Sequence, residues 1–555
     1  MLVSFVIFPN FRALALSSTQ SALPACAQPV LSTAEVRAVE AKFPDLDLMR
    51  RAGKAAAEFL IARTTRDSKI VLFAGPGNNG GDALACAAEL AQMGCAPVVI
   101  VLADVGKYGA DAGRMWSRVQ ELCPTPSPLR GDATYLSPTG CGGEGDGGAQ
   151  SHRNSQRDDP PLSKPPPPGG MGQITVLHHI PAQIEADWLV DGLFGIGLKR
   201  PLDGGYSDAV RVIATARAAG AKVLALDVPS GVDADTGALV GDVAVAADHT
   251  LTFLALKPGL LTGAALDYVG ELDCDALGVA SIDAPTVHAI EVTYIDAIRR
   301  RLAINTHKGS NGTCVIIGGA TGMLGAALLA SRAAMRSGAG KVKLGWLADP
   351  APQVDPLVPE VMMGTATDLI ANECSAMVVG CGLGVSGAAV RALKTVLKRE
   401  VPLVVDADAL NLVAQSAELA TLMQRRTAPT IITPHPTEAA RLLGCSTADV
   451  QRDRLRAARD LASGYRCIAV VKGAGTVICD GIETTINRTG NPLLASAGTG
   501  DVLAGMMGAL LAQGYNAATA ARLGVCMHGA AADLLAARGI RRAVASDVVS
   551  ELVNL

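Results

Sequence analysis

The sequence KIVLFAGPGNNGGDALACAAELAQMGCAPVVIVLA, residues 69–103, decides the fold of the first half of the chain. Its order is an apolar strand, a glycine-rich loop, a small-residue helix and a second apolar strand, which is the pattern of a βαβ unit. The loop is longer and more polar than a dinucleotide-binding GxGxxG turn, and it lacks the lysine of a P-loop. Oxygens of Asn78, Asn79 and Asp82 suit a sugar, a phosphate or a hard monovalent cation. Two asparagines beside two glycines can also form a simple turn.

The composition of the whole chain fits this class of fold. Of 555 residues, 49% are hydrophobic and only 3% are aromatic, as expected where small-residue helices pack on parallel strands. The length predicts two or three domains. A net charge of −4 gives no reason to expect nucleic acid or an anionic membrane as a partner. The 13 cysteines form no CxxC pair, which predicts reduced thiols in a cytoplasmic protein.

Two segments are predicted to lie outside the folded domains. Residues 1–30 are mildly apolar, but the basic start of a signal peptide is missing because Arg12 lies within the apolar stretch. A disordered extension is therefore favoured over export. Residues 124–173 are rich in Pro, Gly and Ser, which is typical of a disordered surface insertion. The predicted domains are residues 31–285, which contain this insertion, and residues 290–555.

Two further strand ends carry polar side chains. WLVDGLFGIGL places Asp191 at the close of an apolar strand, and KVLALDVPSG places Asp227 at the end of another, followed by Ser230. In parallel α/β sheets, ligands bind beyond the carboxyl ends of the strands. We therefore expect Asn79, Asp191, Asp227 and Ser230 to belong to one site, although a carboxylate at a strand end can also cap a helix.

The second half repeats this pattern several times. Apolar strands are followed at once by glycine or by a polar side chain, as in a doubly wound sheet with a site along one edge. The segments are MVVGCGLG (377–384), PLVVDADALN (402–411), PTIITPHPTE (429–438) and CIAVVKGAGT (467–476).

The segment TGNPLLASAGTGDVLAGM, residues 489–506, combines a glycine-rich turn with the start of an apolar helix. A helix that begins there directs free backbone N–H groups and the positive end of its dipole towards a ligand above Gly498, Thr499 and Gly500. Asp501 would then stand beside an anion-binding site. The alternative is that Asp501 only caps the helix and the glycines only form a turn.

Taken together, the motifs GNNGGD, VDGLFGIGL, DVPSGVDADTG, HKG, GCGLG, DADALN, TPHPTE, KGAGT and GTGD resemble those of the bifunctional NAD(P)H-hydrate repair enzymes. The resemblance covers nearly the whole chain apart from residues 1–30 and the Pro/Gly-rich insertion. It implies two doubly wound α/β domains, a Rossmann-like epimerase domain followed by a ribokinase-like dehydratase domain. The chain departs from the family pattern at Ala83, Cys381, Pro492 and Leu493.

For the first domain, the resemblance implies that hydrated NADH and NADPH (NADHX and NADPHX) are interconverted between their R and S forms at C6 of the nicotinamide ring. Asp227 and Asp191 are both candidate acid–base groups, and the sequence does not decide between them. Asn79, Asp191 and Ser230 match positions that hold a potassium ion. The substrate-binding residues implied are Asn78, Asn79, Gly80, Gly81, Asp82, Gly195, Ile196, Gly197, Leu198, Lys199, Arg200, Pro201, Tyr206 and Asp227.

For the second domain, the resemblance implies ADP-dependent dehydration of the S form, with Mg²⁺ accompanying the nucleotide. ADP would phosphorylate the C6 hydroxyl, and loss of phosphate would restore the reduced cofactor and leave AMP. Asp501 is the predicted base, and the N–H groups at Gly498–Asp501 would stabilise the phosphoryl group. The implied hydrate contacts are Ala326, Gly382, His435 and Asp501, and the implied ADP and AMP contacts are Lys472, Gly473, Ala474, Gly475, Thr476 and Gly500.

Two other functions fit the same sequence. One is a ribokinase-like small-molecule kinase fused to a nucleotide-binding module, which would release a stable phosphorylated product. The other is a chain whose first domain has lost catalysis and serves as a nucleotide sensor or as an oligomer interface. A homo-oligomer is expected because helices of small residues permit close packing. The sequence does not rank NADHX against NADPHX, or ADP against ATP.

Overall fold

The computed structural model of the chain describes residues 23–65, 67–123, 172–279, 285–301 and 304–555. The predictions of a disordered extension and of a disordered insertion therefore lie largely outside the described residues. Within these residues the strands are β1 Gln28–Val30, β2 Ile70–Ala74, β3 Val98–Val101, β4 Thr175–Leu177, β5 Trp188–Gly192, β6 Lys222–Leu226, β7 His249–Phe253, β8 Glu271–Asp275, β9 Val287–Ile290, β10 Thr313–Gly318, β11 Lys341–Trp346, β12 Met362–Thr365, β13 Ala376–Val379, β14 Leu403–Val405, β15 Thr430–Ile432, β16 Ile468–Val471, β17 Val477–Cys479 and β18 Thr484–Asn487.

Helices alternate with these strands through most of both halves, as the sequence pattern predicts. They are α1 Thr33–Lys42, α2 Leu48–Ile61, α3 Asn78–Gln92, α4 Ala110–Glu121, α5 Gly204–Ala218, α6 Leu266–Val269, α7 Thr293–Ile298, α8 Leu324–Arg336, α9 Ala366–Ala371, α10 Gly387–Leu397, α11 Ala407–Gln415, α12 Ala417–Gln424, α13 Pro436–Leu443, α14 Thr447–Arg452, α15 Arg454–Tyr465, α16 Thr499–Ala512, α17 Ala517–Ala537 and α18 Ala545–Glu551.

The first sheet has the strand order β4-β3-β2-β5-β6-β7-β8, and all neighbouring strands run parallel. The chain builds outward from β2 to β4 on one side and from β5 to β8 on the other. The order therefore reverses between β2 and β5, where a doubly wound sheet forms its ligand-binding crevice. This arrangement confirms the Rossmann-like topology predicted for the first half.

Both faces of this sheet are covered at β2, which explains why that strand is continuously apolar. Leu72 and Ala74 of β2 pack in one hydrophobic cluster, whereas Val71 and Phe73 pack in the cluster on the other face. Alternate residues of a strand point to opposite faces, so a strand buried on both sides has no polar face.

The second sheet has eleven strands in the order β1-β9-β18-β17-β16-β15-β14-β13-β10-β11-β12. Neighbours from β16 to β12 run parallel, and the order of winding reverses between β10 and β13. Strand β17 is antiparallel to β16 and β18. The second half is thus also a doubly wound α/β domain, in agreement with the predicted fold class.

The edge of the second sheet contains two strands that lie near the predicted domain boundaries. Gln28–Val30 was predicted to be the end of a disordered extension, but it pairs antiparallel with Val287–Ile290, and the latter pairs with β18. Both strands therefore belong to the second sheet, although β1 lies before residue 31 and β9 begins between the two predicted domains. The error arose because a three-residue edge strand is stabilised by long-range pairing and leaves little periodic signal in the sequence.

Helix α16 lies unusually close to its neighbours because glycines face them. A Cβ on Gly505 would lie 2.0 Å from the carbonyl oxygen of Ala330 in α8, and one on Gly508 would lie 2.3 Å from Cγ2 of Val378 in β13. This close packing fixes the start of α16, which carries Asp501, against the centre of the sheet.

We expect Gly505→Ala to lower the thermal unfolding temperature, because its methyl group would force α16 away from α8 at an expected loss of about 1–3 kcal/mol. The matched control is Gly464→Ala in α15, where an added Cβ meets nothing within 4 Å. That control should be neutral or stabilising by up to about 1 kcal/mol, since alanine favours a helix. Equal melting temperatures for the two variants would contradict the packing argument.

Candidate active sites

A cavity of about 750 Å³ lies at the carboxyl edge of the first sheet. It occupies the place where the strand order reverses, as expected for the ligand site of a doubly wound sheet. Several predicted residues line it, namely Asn78, Asn79, Asp82, Gly195, Ile196, Gly197, Leu198 and Asp227.

Other predicted substrate contacts have different neighbours and do not line this cavity. Gly80 packs against the backbone of Gly75, and Gly81 packs against Met49. The Tyr206 hydroxyl donates to the backbone carbonyl of Leu102, directly after β3. The remaining members of this group are Lys199, Arg200 and Pro201, which are exposed.

The asparagine loop is the first turn of a helix and not a simple turn. Gly77 is the N-cap of α3, no side chain caps this helix start, and Asn78 and Asn79 are its first two residues. Asn79 is buried, and neither its amide oxygen nor its amide nitrogen has a hydrogen-bond partner within the described structure. A buried amide without hydrogen-bond partners is unfavourable unless a ligand supplies those partners.

Asp191 and Ser230 are joined in the same region. Asp191 is fully buried, and it accepts hydrogen bonds from the Ser230 backbone N–H at 2.8 Å, the Ser230 hydroxyl at 2.7 Å and the Leu193 N–H at 3.1 Å. Burial raises the pKa of Asp191 to about 6, although these hydrogen bonds oppose the shift. Together with the unpaired Asn79 oxygen, this oxygen-rich set fits the hard cation that the sequence predicts there.

Asp227 is paired with a lysine that sequence reasoning missed. The Lys257 ammonium lies 2.5 Å from Asp227 Oδ1, and it also donates to Thr252 Oγ1 at 2.8 Å and to the Phe253 carbonyl at 2.6 Å. Lys257 is only 1% exposed. An ammonium buried this deeply is stable only when paired and hydrogen-bonded, so these contacts fix the Asp227 carboxylate at the cavity wall.

The backbone at Asp227 is also unusual. Its φ angle of 62° is left-handed, a conformation that non-glycine residues rarely adopt. Such strain is tolerated where the surroundings hold a residue in place, and it is often found at functional sites. Here it turns the carboxylate out of strand β6 and towards the cavity.

Two more carboxylates face the same cavity. Burial, followed by the charge of Asp227, raises the pKa of Asp82 well above its ordinary value. The same two causes raise the pKa of Glu40, a residue of α1 that the sequence analysis did not select. Of the carboxyl groups that line the cavity, these three interact with one buried ammonium, that of Lys257, an arrangement suited to moving protons near neutral pH.

The second site is built around the start of α16. Gly498 is the N-cap with a left-handed φ of 89°, and no side chain caps this helix start. Asp501 is the third residue of the helix, so the alternative in which it merely caps the helix is wrong. The first-turn N–H groups remain available to an anion, as the glycine-rich sequence predicts.

Asp501 belongs to a cluster of buried polar groups. Donor atoms of Cys381, Asp406 and Asp501 lie within 4.8 Å of one another. Lys472 donates to Asp406 Oδ1 at 2.7 Å, and a Cβ on Gly500 would lie 3.2 Å from the Lys472 ammonium. The ammonium is therefore held directly beside the helix start.

The cluster shifts the pKa values of its members. Burial, then the charge of Asp406, raises the pKa of Asp501 to about 6. Burial disfavours the charged Lys472, but the neighbouring Asp406 and Glu438 still raise the pKa of Lys472 above its ordinary value. Burial raises the pKa of Glu438 to about 7. Asp406 and Glu438 were quoted within motifs, but they were not selected as site residues.

The predicted hydrate contacts fall into two groups. Gly382 has a left-handed φ of 60°, and a Cβ there would lie 3.1 Å from Cβ of Ala326, so these two residues adjoin. His435 instead is the N-cap of α13, where its Nδ1 accepts from the backbone N–H groups of Thr437 and Glu438. Burial lowers the pKa of His435, so it is a neutral cap near pH 7. Its contact with the hydrate stays a prediction.

The segment before α16 holds the departures Pro492 and Leu493. They lie in a short 3₁₀ turn whose start is capped by the Asn491 side chain, which accepts from the Leu493 N–H at 3.0 Å. The Thr499 hydroxyl lies 3.0 Å from the Leu494 carbonyl oxygen and 2.9 Å from that of Ser496. The loop is thus tied directly to the first residue of the helix.

The fold and the two sites define a two-domain α/β enzyme. One domain has a carboxylate-rich cavity, and the other has an uncapped helix start beside the half-buried Lys472. Among the described helices, none combines the length and the apolar character needed to cross a membrane.

Comparison with known proteins gives the family. The family model described as YjeF-related protein N-terminus matches residues 45–259, and the one described as NAD(P)H-hydrate dehydratase matches residues 314–554. The bifunctional NAD(P)H-hydrate repair enzyme Nnr of Coxiella burnetii is 36% identical over 93% of this chain and 96% of its own. That of Escherichia coli K12 is 41% identical over 66% of this chain and 71% of its own. The chain belongs to the family of bifunctional NAD(P)H-hydrate repair enzymes.

A solved structure is also similar to the second half. The ADP/ATP-dependent NAD(P)H-hydrate dehydratase from Bacillus subtilis, co-crystallized with ATP and Mg²⁺, is 30% identical. It covers 47% of this chain and 95% of its own, with a TM-score of 0.43.

The raised pKa of Asp501 predicts a pH-dependent change in stability. The folded-state pKa of about 6 exceeds the ordinary 3.8, so the folded protein binds more protons than the unfolded chain between these values. Stability contributed by this proton is therefore lost as pH rises through that window. Asp501→Asn avoids the loss and should stabilise the protein by up to about 3 kcal/mol at pH 7.5 and by about half of that at pH 5.

Urea unfolding at the two pH values measures this difference. The control is Asp460→Asn, which changes an exposed aspartate of α15 and should show no such dependence on pH. A stabilisation by Asp501→Asn that is equal at pH 5 and pH 7.5 would argue against a raised pKa.

Proposed function

We propose that this chain repairs hydrated NADH and NADPH in two steps. The first domain interconverts the R and S forms at C6, and the second uses ADP to dehydrate the S form to NAD(P)H, with AMP and phosphate as the other products. The proposed domains are those of the sequence analysis, with both strands β1 and β9 assigned to the second sheet. The observation that carries the proposal is Asp501, a half-buried carboxylate in the first turn of an uncapped helix, beside the half-buried Lys472.

In the first domain, we assign proton transfer to Asp227 and not to Asp191. Asp227 lines the cavity, whereas Asp191 is fully buried and already accepts three hydrogen bonds. C6 of the hydrate is bonded to both a hydroxyl and the ring nitrogen. When the hydroxyl loses its proton, the C6–N bond breaks with its electron pair going to nitrogen and C6 becomes a carbonyl carbon; attack of the nitrogen on the other face of that carbonyl and return of the proton to oxygen give the other epimer. Asp227, held by Lys257, is placed to accept and return that proton.

Potassium is proposed as the partner of the first site. Oxygens of Asn79, Asp191 and Ser230 would hold it, which would complete the unpaired Asn79 amide. The ion would supply positive charge next to the substrate. The protein's own residues still position the substrate and move the proton.

In the second domain, Asp501 accepts the proton of the C6 hydroxyl as that oxygen attacks the β-phosphorus of ADP, and AMP leaves. The N–H groups at the start of α16 and the Lys472 ammonium stabilise the charge on the moving phosphoryl group. The C6–O bond of the resulting phosphate ester then breaks. Phosphate departs with the bonding electrons, and C5 releases a proton, which restores the C5–C6 double bond.

Magnesium is proposed to accompany the nucleotide, where it would neutralise charge on the phosphates. Asp406 offers the oxygen ligand that this hard ion prefers, whereas the Cys381 thiol does not. A homo-oligomeric state and a cytoplasmic location stay predictions from the sequence.

Two substitutions should separate the two activities. Asp501→Asn should lower dehydration of the S form by at least about 10²-fold, because the hydroxyl loses its base, while epimerisation continues. Lys257→Met should lower conversion of the R form by a similar factor and leave repair of the S form intact. Recovery of reduced-nicotinamide absorbance from each epimer with ADP measures the repair of both forms, and chromatographic separation of the two epimers measures epimerisation in Asp501→Asn.

Lys222→Met, a change of an exposed lysine on β6, is the matched control and should repair both epimers. Unchanged repair of the R form in both Lys257→Met and Asp227→Asn would support the sensor function instead. Accumulation of a stable phosphorylated product without recovery of absorbance would support the kinase.

The pH dependence of dehydration tests the role of Asp501 separately. A general base must be ionised, and the pKa of Asp501 is about 6. With the S form as substrate, kcat/KM should fall about tenfold for each pH unit below about 6 and level off above it. A profile that stays flat down to pH 5 would exclude Asp501 as the base.

A further inference from the structure

The predicted nucleotide loop of the second domain, Lys472–Thr476, rests on a turn of the first domain. The Thr262 hydroxyl lies 2.7 Å from the Gly475 carbonyl oxygen and 3.2 Å from that of Ala474, and the Gly263 N–H donates to the same Ala474 oxygen at 3.3 Å. Thr262 is fully buried. Three backbone-directed contacts therefore cross from one domain to the other at this loop.

The approach of the two domains is too close for a side chain. Gly475 has a left-handed φ of 61°, and a Cβ there would lie 1.8 Å from the carbonyl oxygen of Leu261. Both the left-handed φ and the short distance to Leu261 require glycine at this position. The conformation of the nucleotide loop is thus set in part by the backbone of the first domain.

Arg454 completes the junction. Its Nε donates to Thr262 Oγ1 at 2.9 Å, and its Nη2 donates to the carbonyls of Val471 at 3.0 Å and Lys472 at 3.1 Å. Nη1 donates to the Gln451 side chain at 2.7 Å. The guanidinium therefore joins the first domain, through Thr262, to the strand end from which the nucleotide loop departs.

The burial of Arg454 indicates a specific role. It is 1% exposed, no described carboxylate pairs with it, and burial lowers its pKa to about 10. Placing an unpaired cation in the interior is unfavourable unless its hydrogen bonds are satisfied. A junction that only needed packing would be more stable with an apolar side chain. Arg454 instead holds the carbonyl groups of Val471 and Lys472 in fixed positions.

We propose that Thr262 and Arg454 are positioning residues of the dehydratase, so that the first domain supplies part of the support for the nucleotide loop of the second. The inference rests on the proposed use of ADP at Lys472–Thr476. The same loop places the Lys472 ammonium beside Asp406 and the start of α16. A shift of this loop would therefore displace the bound nucleotide more than it displaces Asp501.

The Thr262 hydroxyl makes hydrogen bonds on both sides of the junction, and substitution by valine or serine tests them together. It accepts from Arg454 and donates to the nucleotide loop, and both groups lose this partner when valine replaces threonine. Serine keeps the hydroxyl and should keep both hydrogen bonds. Leaving a buried donor and acceptor unpaired is more unfavourable than losing one exposed hydrogen bond.

The test uses the full chain with the S form of the hydrate, which bypasses the epimerase. Thr262→Val should raise KM for ADP about tenfold, equivalent to about 1.4 kcal/mol, with kcat changed by less than about twofold. Thr262→Ser should restore KM to near that of the unmodified protein. The matched control is Thr250→Val, which removes another buried hydroxyl of the first domain, bonded to the Val269 carbonyl at 2.7 Å and away from the junction.

The outcomes separate this inference from the proposed function. Absence of ADP-dependent repair in the unmodified protein would overturn the proposed function. An active unmodified protein in which Thr262→Val leaves KM for ADP unchanged would overturn the inference, and so would an equal rise in KM in Thr250→Val. If Thr262→Val does not fold, Arg454→Lys provides the second variant, because one ammonium cannot reach all four acceptors. An unchanged KM for ADP in that variant would likewise overturn the inference.

Discussion

The Lys472–Asp406 ion pair beside the uncapped start of α16 is the interaction on which the second site depends. The ammonium is held 2.7 Å from Asp406 and adjoins Gly500, so a fixed positive charge and free N–H groups point towards the same space. Asp501 lies within this field as a carboxylate with a raised pKa of about 6. Groups that can bind an anion and a carboxylate that can accept a proton thus lie side by side. Phosphoryl transfer from ADP to a hydroxyl requires both.

The first site, in a separate sheet, contains a similar lysine–aspartate pair. Asp227 is paired with the buried Lys257 at the carboxyl end of β6, just as Asp406 is paired with Lys472 beyond β14. In both places a non-glycine residue adopts a left-handed backbone, Asp227 itself in one and Ala407 in the other. In each domain, a left-handed residue at a strand end adjoins a carboxylate that is held by a lysine, Asp227 by Lys257 in the first and Asp406 by Lys472 in the second.

The sequence predicted the parts of the sites that lie directly beyond apolar strands or at a glycine-rich helix start. Asn79, Asp227 and Asp501 could be selected because strand ends of parallel sheets converge at one edge. Lys257 and Glu40 could not, because a lysine after a strand and a glutamate on an amphipathic helix resemble exposed residues until the packing of distant elements buries them.

The same limit explains the domain boundaries and the contact between the domains. Strand β1 pairs with β9, more than two hundred residues later in the chain, and the Thr262–Arg454 contact joins residues that are 192 positions apart. The local periodicity of the sequence does not predict such long-range pairings. The nine-motif resemblance identified the family, but it assigned each motif to one domain and so gave no sign that the first domain supports the nucleotide loop.

The most direct test of the central claim follows the fate of one oxygen atom. The S form of the hydrate is prepared with heavy oxygen in its C6 hydroxyl and incubated with the protein and ADP, and the released phosphate is analysed by mass spectrometry. If Asp501 and the start of α16 direct that oxygen onto the β-phosphorus, the phosphate carries the label. Unlabelled phosphate with the label released as water would contradict the account, since the hydroxyl would then have left without being phosphorylated.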